Sequence, residues 1–428
     1  MRFDDLGYDG RVEGLITRHA EPLARSMLAH SPGLVIEGAR QVGKSTLARQ
    51  LVDGRNAILT TLDDEQTRAA VAEDMPGFLA QATDGTLVID EIQRLPEITL
   101  AIKAAIDRDR RPGRFILTGS ASLLRLRGLA DSMAGRVLRL PLYGFSQGEL
   151  RDRPDDFVTR VVTTDPSELV RYRSDSARQN YAEIIGRGAY PDSQPLPSPL
   201  RGRWLDSYLA GIVRRDLGEL RRQVDPSRTE SLLRALAGNQ SGELVKARLA
   251  TATSIPAATV TSYLDLLTDV GLVATIGPWT PNLAKREVGR RKAYVIDSGL
   301  GTRLARISSE QLARFDHGEA FGSFLEGFVA TELLRQQTWS GEEFELFHYR
   351  DRAGLDVDLV AELTGGRVIG IDVKASTSLR RGHFDGLRAL RDRLGDRFVA
   401  GVVLNTGAEG YRYAERLYGL PIDALWSL

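Results

Sequence analysis

Hydrophobic positions along this chain follow two rhythms. Short apolar runs bounded by turn residues read as buried strands, while apolar residues recurring every three or four positions read as helices. Leu34–Ile36, Thr86–Ile89, the run from Arg114 and the run after Arg136 are strands of the first kind. Between Arg203 and Gln223 the rhythm changes: Leu205, Tyr208, Leu209, Ile212, Leu217 and Leu220 lie near helical spacing and predict an amphipathic helix with a basic outer face. "AFGSFLEGFVATELLRQ" is helical again, with Phe321, Phe324, Leu325, Phe328 and Val329 on one stripe, Glu326 at its margin and Glu332 near its centre. After it come a strand carrying Asp356 and Asp358 on one face and Val357 and Leu359 on the other, then the strand Val368–Ile371, the helical stretch "RGHFDGLRALRDRLG" and the strand "FVAGVVLN". Strands alternating with helices predict an α/β multidomain chain.

The middle reads differently. Pro- and Asp-rich segments near Arg151 and Tyr190 are connections around a helical region. A helix–turn–helix pattern follows, with Ile255-Pro256 opening its second helix, and then two strands, "GLVATIG" and "KAYVIDSG". That is a winged-helix pattern. Its second helix, Ala257 to Val270, has no lysine or arginine and two aspartates, which argues against reading bases in the major groove. The helix therefore reads as a scaffold or protein contact, while Lys285, Arg286, Arg290, Arg291 and Lys292 in the wing could hold phosphates in non-specific contact with DNA.

Composition narrows the class. At 428 residues the chain exceeds one ordinary domain, and 42% hydrophobic residues suffice for buried cores. Lys+Arg and Asp+Glu are equal at 57 each, so nucleic-acid binding rests on local patches, not a global field. With no cysteine, disulfides and thiolate metal sites are excluded. The charged opening "MRFDDLGYDGRVEGL" lacks a signal-peptide core and no run approaches a membrane span, so a cytoplasmic protein without membrane attachment is expected.

The most specific chemistry lies in "LVIEGARQVGKSTLARQL". Gly38, Ala39, Arg40, Gln41, Val42, Gly43, Lys44 and Ser45 fit G-x-x-x-x-G-K-[ST] between a strand and a helix, with Thr46 next. Backbone amides of such a loop and the positive end of the new helix cradle phosphates. Lys44 would reach the β- and γ-phosphates of ATP, and Ser45 would place its hydroxyl on Mg²⁺. A second strand ends in Asp90 and Glu91. Asp90 would hold the Mg²⁺ shell, and Glu91 would orient or deprotonate the attacking water. Thr118 and Ser120, at the tip of the next strand, are placed to sense the γ-phosphate, although Thr-Gly-Ser is also plain turn chemistry. Arg136 could complete a site in cis or in trans or remain a solvated arginine, and Arg214 and Arg215 could reach a neighbour's nucleotide.

The order "EGARQVGKSTL … LVIDEIQRLP … FILTGSASLL … LAGRV" resembles the AAA-type ATPases of bacteria and archaea that carry a C-terminal domain of unknown function. The resemblance implies ATP hydrolysis, Thr118 or Ser120 in the sensor position, and a homo-oligomer in which a neighbour supplies an arginine. The succession from Glu326 onward resembles the PD-(D/E)XK restriction-endonuclease-like fold, without its proline: Leu355-Asp356-Val357-Asp358 stands there instead. That resemblance implies that Asp358 and Asp372 ligate Mg²⁺ or Mn²⁺, with Glu326 directly or through water, and that Lys374 orients or activates water. Four segments are thus expected: an ATPase core over 1–150, a helical connection over 151–226, a winged-helix-like domain over 227–310 and a nuclease-like domain over 311–428. The function expected is ATP-dependent action on DNA or RNA. Its alternative is an ATP-dependent switch that binds nucleic acid or a protein without cutting.

Overall fold

The structure is a computed structural model that describes residues 15–81, 83–120, 133–213, 225–282, 286, 289–351 and 354–428. Lys285, Arg214 and Arg215 lie outside the described residues, as do Leu217 and Leu220. Two compact units divide the chain: the described residues up to Phe145 with Asp269–Gly271, and Ser146–Thr268 with Leu272–Leu428.

In the first unit five parallel strands form one sheet: β1 (Gly33–Glu37), β2 (Ala57–Thr61), β3 (Thr86–Asp90), β4 (Phe115–Gly119) and β5 (Val137–Pro141), in the order β2-β3-β4-β1-β5. Parallel neighbours need crossovers, and helices supply them. These are α2 (Lys44–Val52), α3 (Glu65–Glu73), α4 (Met75–Ala80) and α5 (Ile98–Arg108), with α1 (Glu21–His30) ahead of β1. β1 and β4 are buried throughout, which is why they read as unbroken apolar runs. β5, at the edge, exposes Leu138, Arg139 and Pro141. Helix α5 buries Ile98, Ile102 and Ile106, spaced one turn apart, in one cluster with Val35, Ile89 and Leu117 of the sheet. Because β1 lies between β4 and β5, the order in which strands are laid down reverses there, and the carboxyl end of β1 opens a crevice suited to a ligand.

The second unit holds an eight-stranded mixed sheet. Its strands are β6 (Val273–Pro278), β7 (Lys292–Val295), β8 (Phe344–Arg350), β9 (Asp356–Leu363), β10 (Val368–Lys374), β11 (Phe398–Asn405), β12 (Tyr411–Ala414) and β13 (Leu417–Pro421). They run in the order β12-β13-β11-β10-β9-β8-β6-β7. Helices α6 (Phe157–Thr163), α7 (Arg178–Arg187), α8 (Ser198–Gly211), α9 (Pro226–Gly238), α10 (Lys246–Thr253), α11 (Ala257–Asp269), α12 (Ser298–Ala305), α13 (Gly318–Gln336) and α14 (Asp385–Leu394) complete it. Helix α13 buries Phe321, Leu325, Phe328 and Val329 in one cluster with Leu359, Ile369, Ile371 and Val402. Helix α14 buries Leu387 and Leu390 in a second cluster with Val357, Val360, Val368 and Val403. Among the described residues no helix is long and apolar enough to cross a membrane.

Strict alternation fails at one place. Val357 and Leu359 were expected on one face of their strand, yet they join different core clusters. The β8–β9 register shifts between Phe347 and Tyr349, a bulge that rotates β9 just where Asp358 sits. Asp358 is buried while Asp356 is exposed, so the two aspartates do not share an environment.

Candidate functional site

The loop after β1 is shaped by its glycines. A Cβ on Gly38 would lie 2.0 Å from the carbonyl oxygen of Leu142, so only glycine fits there. The Leu142 amide donates to the Glu37 carbonyl at 2.7 Å, which fixes the end of β1 against the chain leaving β5. Gln41 and Gly43 both have positive φ, 58° and 96°, turning the backbone between them toward the N-terminus of α2. Lys44 is buried, and its ammonium donates to the carbonyls of Gly38 at 3.2 Å and Ala39 at 2.7 Å. Ala39, Arg40 and Val42 complete the loop, and Ser45 and Thr46 stand in the first turn of α2.

A residue that the motif does not contain supports this loop. Arg18, only 5% exposed, donates from Nη1 to the Val42 carbonyl and from Nη2 to the Tyr143 carbonyl, each at 2.7 Å. Its guanidinium lies 5.0 Å from the centroid of the Phe145 ring. In sequence it is one of four arginines ahead of the first strand, with nothing to single it out.

Beside the loop, Asp90 ends β3. Ser45 Oγ donates to Asp90 Oδ1 at 2.8 Å, and the hydroxyl of fully buried Thr118 donates to the same oxygen. The Glu91 amide donates to Thr118 Oγ1 at 3.3 Å, Glu91 itself has φ 56°, and Gln93 donates to its carboxylate. A cavity of about 20 Å³ opens against Ser45, Arg49, Thr60, Thr61 and Asp90, room for one water-sized group. Hydroxyl and carboxylate oxygens here fit a small hard cation. Ser120 lies one residue beyond β4, so Thr118 is the tip residue that grips Asp90.

Arg136 is not brought to this site. It precedes β5, whose first residue Val137 pairs with Gly33, at the end of β1 opposite the loop. There it makes two bonds to Asp107, at 2.8 and 2.9 Å. A residue before a parallel strand sits at the amino edge of the sheet, away from the ligand crevice.

The second unit gathers the other sequence candidates. β9 and β10 pair from Glu362↔Val368 to Leu359↔Ile371, and beyond that point carboxylates replace the ladder. The Asp358 amide donates to Asp372 Oδ1 at 3.0 Å, and the Val373 amide donates to Asp358 Oδ2 at 2.9 Å. Lys374 Nζ lies 3.3 Å from Asp358 Oδ2 and 3.9 Å from Asp372 Oδ1. From β7, Lys292 Nζ donates to Glu326 Oε1 at 2.7 Å and lies 3.9 Å from Asp358 Oδ1. Burial, and then the charge of Asp358, pushes Glu326 up to about 7 and Asp372 up to about 8. Burial opposes the charge on Lys292, but Glu326 and Asp358 outweigh it and hold its pKa above the ordinary lysine value. Glu332 stands apart, accepting from the Gln147 amide at 2.8 Å and from Arg335 at 3.0 Å.

This second cluster does not fit the divalent metal expected of Asp358 and Asp372. Among the described residues no three acidic or histidine side chains are grouped as a metal would require. One oxygen of each aspartate accepts a backbone amide, and ammonium groups stand between the carboxylates. The wing also departs from expectation. Arg286 bonds Glu362 at 2.5 and 2.9 Å, Lys292 is in the cluster, Arg290 lies 3.4 Å from Glu243, and Arg291 bonds Thr275. Arg286 and Lys292, neutralised within the protein, have less to offer a phosphate, whereas Arg290 is exposed and Arg291 keeps its charge against a neutral threonine.

Three family models match successive parts of the chain: an AAA domain over residues 30–151, a domain of unknown function (DUF8612) over 178–311, and a domain of unknown function (DUF4143) over 321–425. Uncharacterized proteins of Mycobacterium bovis and Mycobacterium tuberculosis are each 28% identical over 411 residues, 95% of this chain and 84% of theirs. Among solved structures, a Walker-type ATPase of Pyrococcus abyssi aligns with a TM-score of 0.44 at 18% identity, covering 69% of this chain and 97% of its own. AMPPCP-bound DnaA from Aquifex aeolicus aligns with a TM-score of 0.31 at 14% identity, covering 60% and 89%. Family match and loop geometry coincide: residues 30–151 carry an AAA-type ATPase domain built on a phosphate-binding loop.

Proposed function

We propose that this protein binds and hydrolyses ATP and uses that cycle as a switch on its second unit. The observation that carries the reading is the convergence of Ser45 and Thr118 on one oxygen of Asp90, beside a loop whose lysine is already buried. Mg²⁺, when bound, would neutralise phosphate charge in the transition state. Loop amides and the N-terminus of α2 hold the phosphates, and Lys44 exchanges its own loop carbonyls for phosphate oxygens. Ser45 and Asp90 orient the metal's ligand shell, with Thr118 fixing Asp90. Glu91 orients the attacking water and accepts its proton. A neighbouring copy is the expected source of an arginine, since Arg136 faces away, and a cytoplasmic homo-oligomer is part of the proposal.

For the second unit, helices α9, α10 and α11 with the β6–β7 hairpin support a winged-helix reading. The order α13, β8, β9, β10, α14, β11 supports a restriction-endonuclease-like one. A binding module for DNA, RNA or a protein fits the neutralised cluster better than a cutting one. An ATP-gated nuclease stays as a second reading because Glu326, Asp358, Asp372 and Lys374 meet in one place. The deciding experiment measures phosphate release from ATP with and without Mg²⁺, alongside cleavage of DNA and RNA, for the native protein, Lys44→Ala and Lys374→Ala. ATP turnover lost only in Lys44→Ala, without cleavage, supports the switch. Cleavage lost in Lys374→Ala establishes the nuclease, and turnover unchanged in Lys44→Ala removes the ATPase reading.

A further inference from the structure

One cavity of the second unit belongs to none of the sites above. It holds about 640 Å³ between α7, α8, α9 and α12, and every residue lining it lies within that unit. Four arginines reach it, Arg201, Arg234, Arg303 and Arg306, against the single carboxylate of Asp206. Two of them are answered. Arg234 pairs with Glu230 at 2.9 Å, and Arg303 donates from Nε and Nη2 to Asp206, at 2.8 and 2.5 Å.

The other two are not. Arg201 is half-buried, and its Nε and Nη2 donate to the carbonyls of Ser193, at 3.3 Å, and Leu196, at 2.6 Å. Carbonyls orient a guanidinium without cancelling its charge, and neither Arg201 nor Arg306 has an ion pair among the described residues. Burial, and then Arg187, hold the Arg201 pKa below the ordinary arginine value. Gly202, next along α8, brings a third guanidinium close: a Cβ there would stand 3.5 Å from Nη1 of Arg303. Charge withdrawn from water and left uncancelled is costly, so these arginines call for an anion. The rest of the lining is partly aliphatic, with Leu205, Leu300 and Leu304 buried and Leu209 and Ile307 half-buried.

We propose that this cavity binds a phosphorylated small molecule, its phosphate held by Arg201 and Arg306 and its organic body by the aliphatic side chains. Two uncancelled guanidinium groups match a phosphate monoester, which carries about two negative charges at neutral pH. Their planar forks fit phosphate oxygens two at a time. The volume falls within the roughly 300–1,000 Å³ of small-molecule pockets. None of these residues belongs to the phosphate-binding loop, so the site does not rest on the ATPase reading.

The test uses the full chain carrying Lys44→Ala, without Mg²⁺, so that the loop contributes little. Calorimetry follows pyrophosphate, AMP and isopentenyl diphosphate. At least one organic probe is expected to bind about tenfold or more tighter than pyrophosphate, and Arg201→Gln to weaken every probe by about tenfold. Leu209→Asn should weaken the organic probes alone. Either organic probe supports the proposal, AMP marking a nucleoside body and isopentenyl diphosphate an aliphatic one. No binding of any probe, or binding unchanged in Arg201→Gln, overturns it, and pyrophosphate bound as tightly as both others removes the organic body. If Arg201→Gln does not fold, Arg306→Gln decides, because that side chain is exposed and bonds no described residue. Weaker binding in Arg306→Gln then supports the site, and unchanged binding overturns it. Failure of the ATPase reading shows separately, as ATP turnover unchanged by Lys44→Ala.

Discussion

The guanidinium of Arg18 donates to the carbonyl of Val42, at 2.7 Å, from outside the phosphate-binding loop. That bond gives the Val42 carbonyl a buried donor and pins the loop just before Gly43. Its other arm reaches Tyr143, tying the loop to the chain beyond β5. Arg18→Ala should cost about 1–3 kcal/mol for each buried carbonyl deprived of its donor. It should also weaken binding of a nonhydrolysable ATP analogue by about tenfold, while Arg18→Lys, with one compact donor, falls between. Urea unfolding and nucleotide titration separate the two effects. Lower stability with unchanged affinity would make Arg18 a structural residue alone.

Glu91 departs from its strand with a left-handed backbone while its amide is held by Thr118. Such a conformation at the carboxyl end of β3, next to Asp90, makes a catalytic role for Glu91 worth testing. Glu91→Gln should lower ATP turnover by about 10²–10⁴-fold with ATP affinity nearly unchanged. Asp90→Asn, which weakens the acceptor shared by Ser45 and Thr118, should instead raise the Mg²⁺ concentration needed for turnover. Phosphate release measured across a Mg²⁺ series tests both. Equal loss of affinity and turnover in Glu91→Gln would assign it to loop geometry.

Gly38→Ala tests the crossing of two backbones. An added methyl would stand 2.0 Å from the Leu142 carbonyl oxygen, which is backbone and cannot swing aside. The chain after β5 must shift, opening the bond between the Leu142 amide and Glu37. The expected result is a loss of about 1–3 kcal/mol or more in stability together with nucleotide binding. Thermal unfolding with and without ATP analogue reads both at once. Unchanged stability would mean that this junction is looser than its distances imply.

What the sequence made legible was local. The loop from Gly38 to Ser45, the Asp90–Glu91 strand end and the strand carrying Asp372 and Lys374 each lie within a short window, where spacing fixes proximity. Arg18 escaped because its partners are 24 and 125 residues away, and no periodicity encodes such a contact. Lys292 was read as a wing cation for phosphates because it adjoins Arg290 and Arg291, but a strand turns alternate side chains inward, and this one turns toward Glu326. A bulge, invisible to a count of alternating residues, placed Val357 and Leu359 in different cores. Arg136 was left open between a role in cis, a role in trans and a solvated arginine, and parallel topology narrows that choice, since a residue before its strand lies at the edge of the sheet away from the loop of its own chain.

The pair Arg286–Glu362 gives a pH dependence with a definite sign. Hydrogen bonds from Arg286, at 2.5 and 2.9 Å, hold the Glu362 carboxyl below its ordinary value of 4.5, with Trp279 Nε1 adding a bond at 3.2 Å. Because the folded pKa is depressed, the pair's contribution is fully present above the unfolded value and is lost as pH falls through the folded one. Trp279 lies against this pair, so its fluorescence reports local unfolding, with Trp279→Phe identifying its signal among the four tryptophans. Between pH 7 and 5 the urea midpoint for this signal should be lower in Glu362→Gln than in the native protein. As pH drops below 4.5 the native midpoint should fall faster, until the two curves meet. Parallel curves throughout would mean that Glu362 gains nothing from Arg286, and that this arginine of the wing remains available to a phosphate.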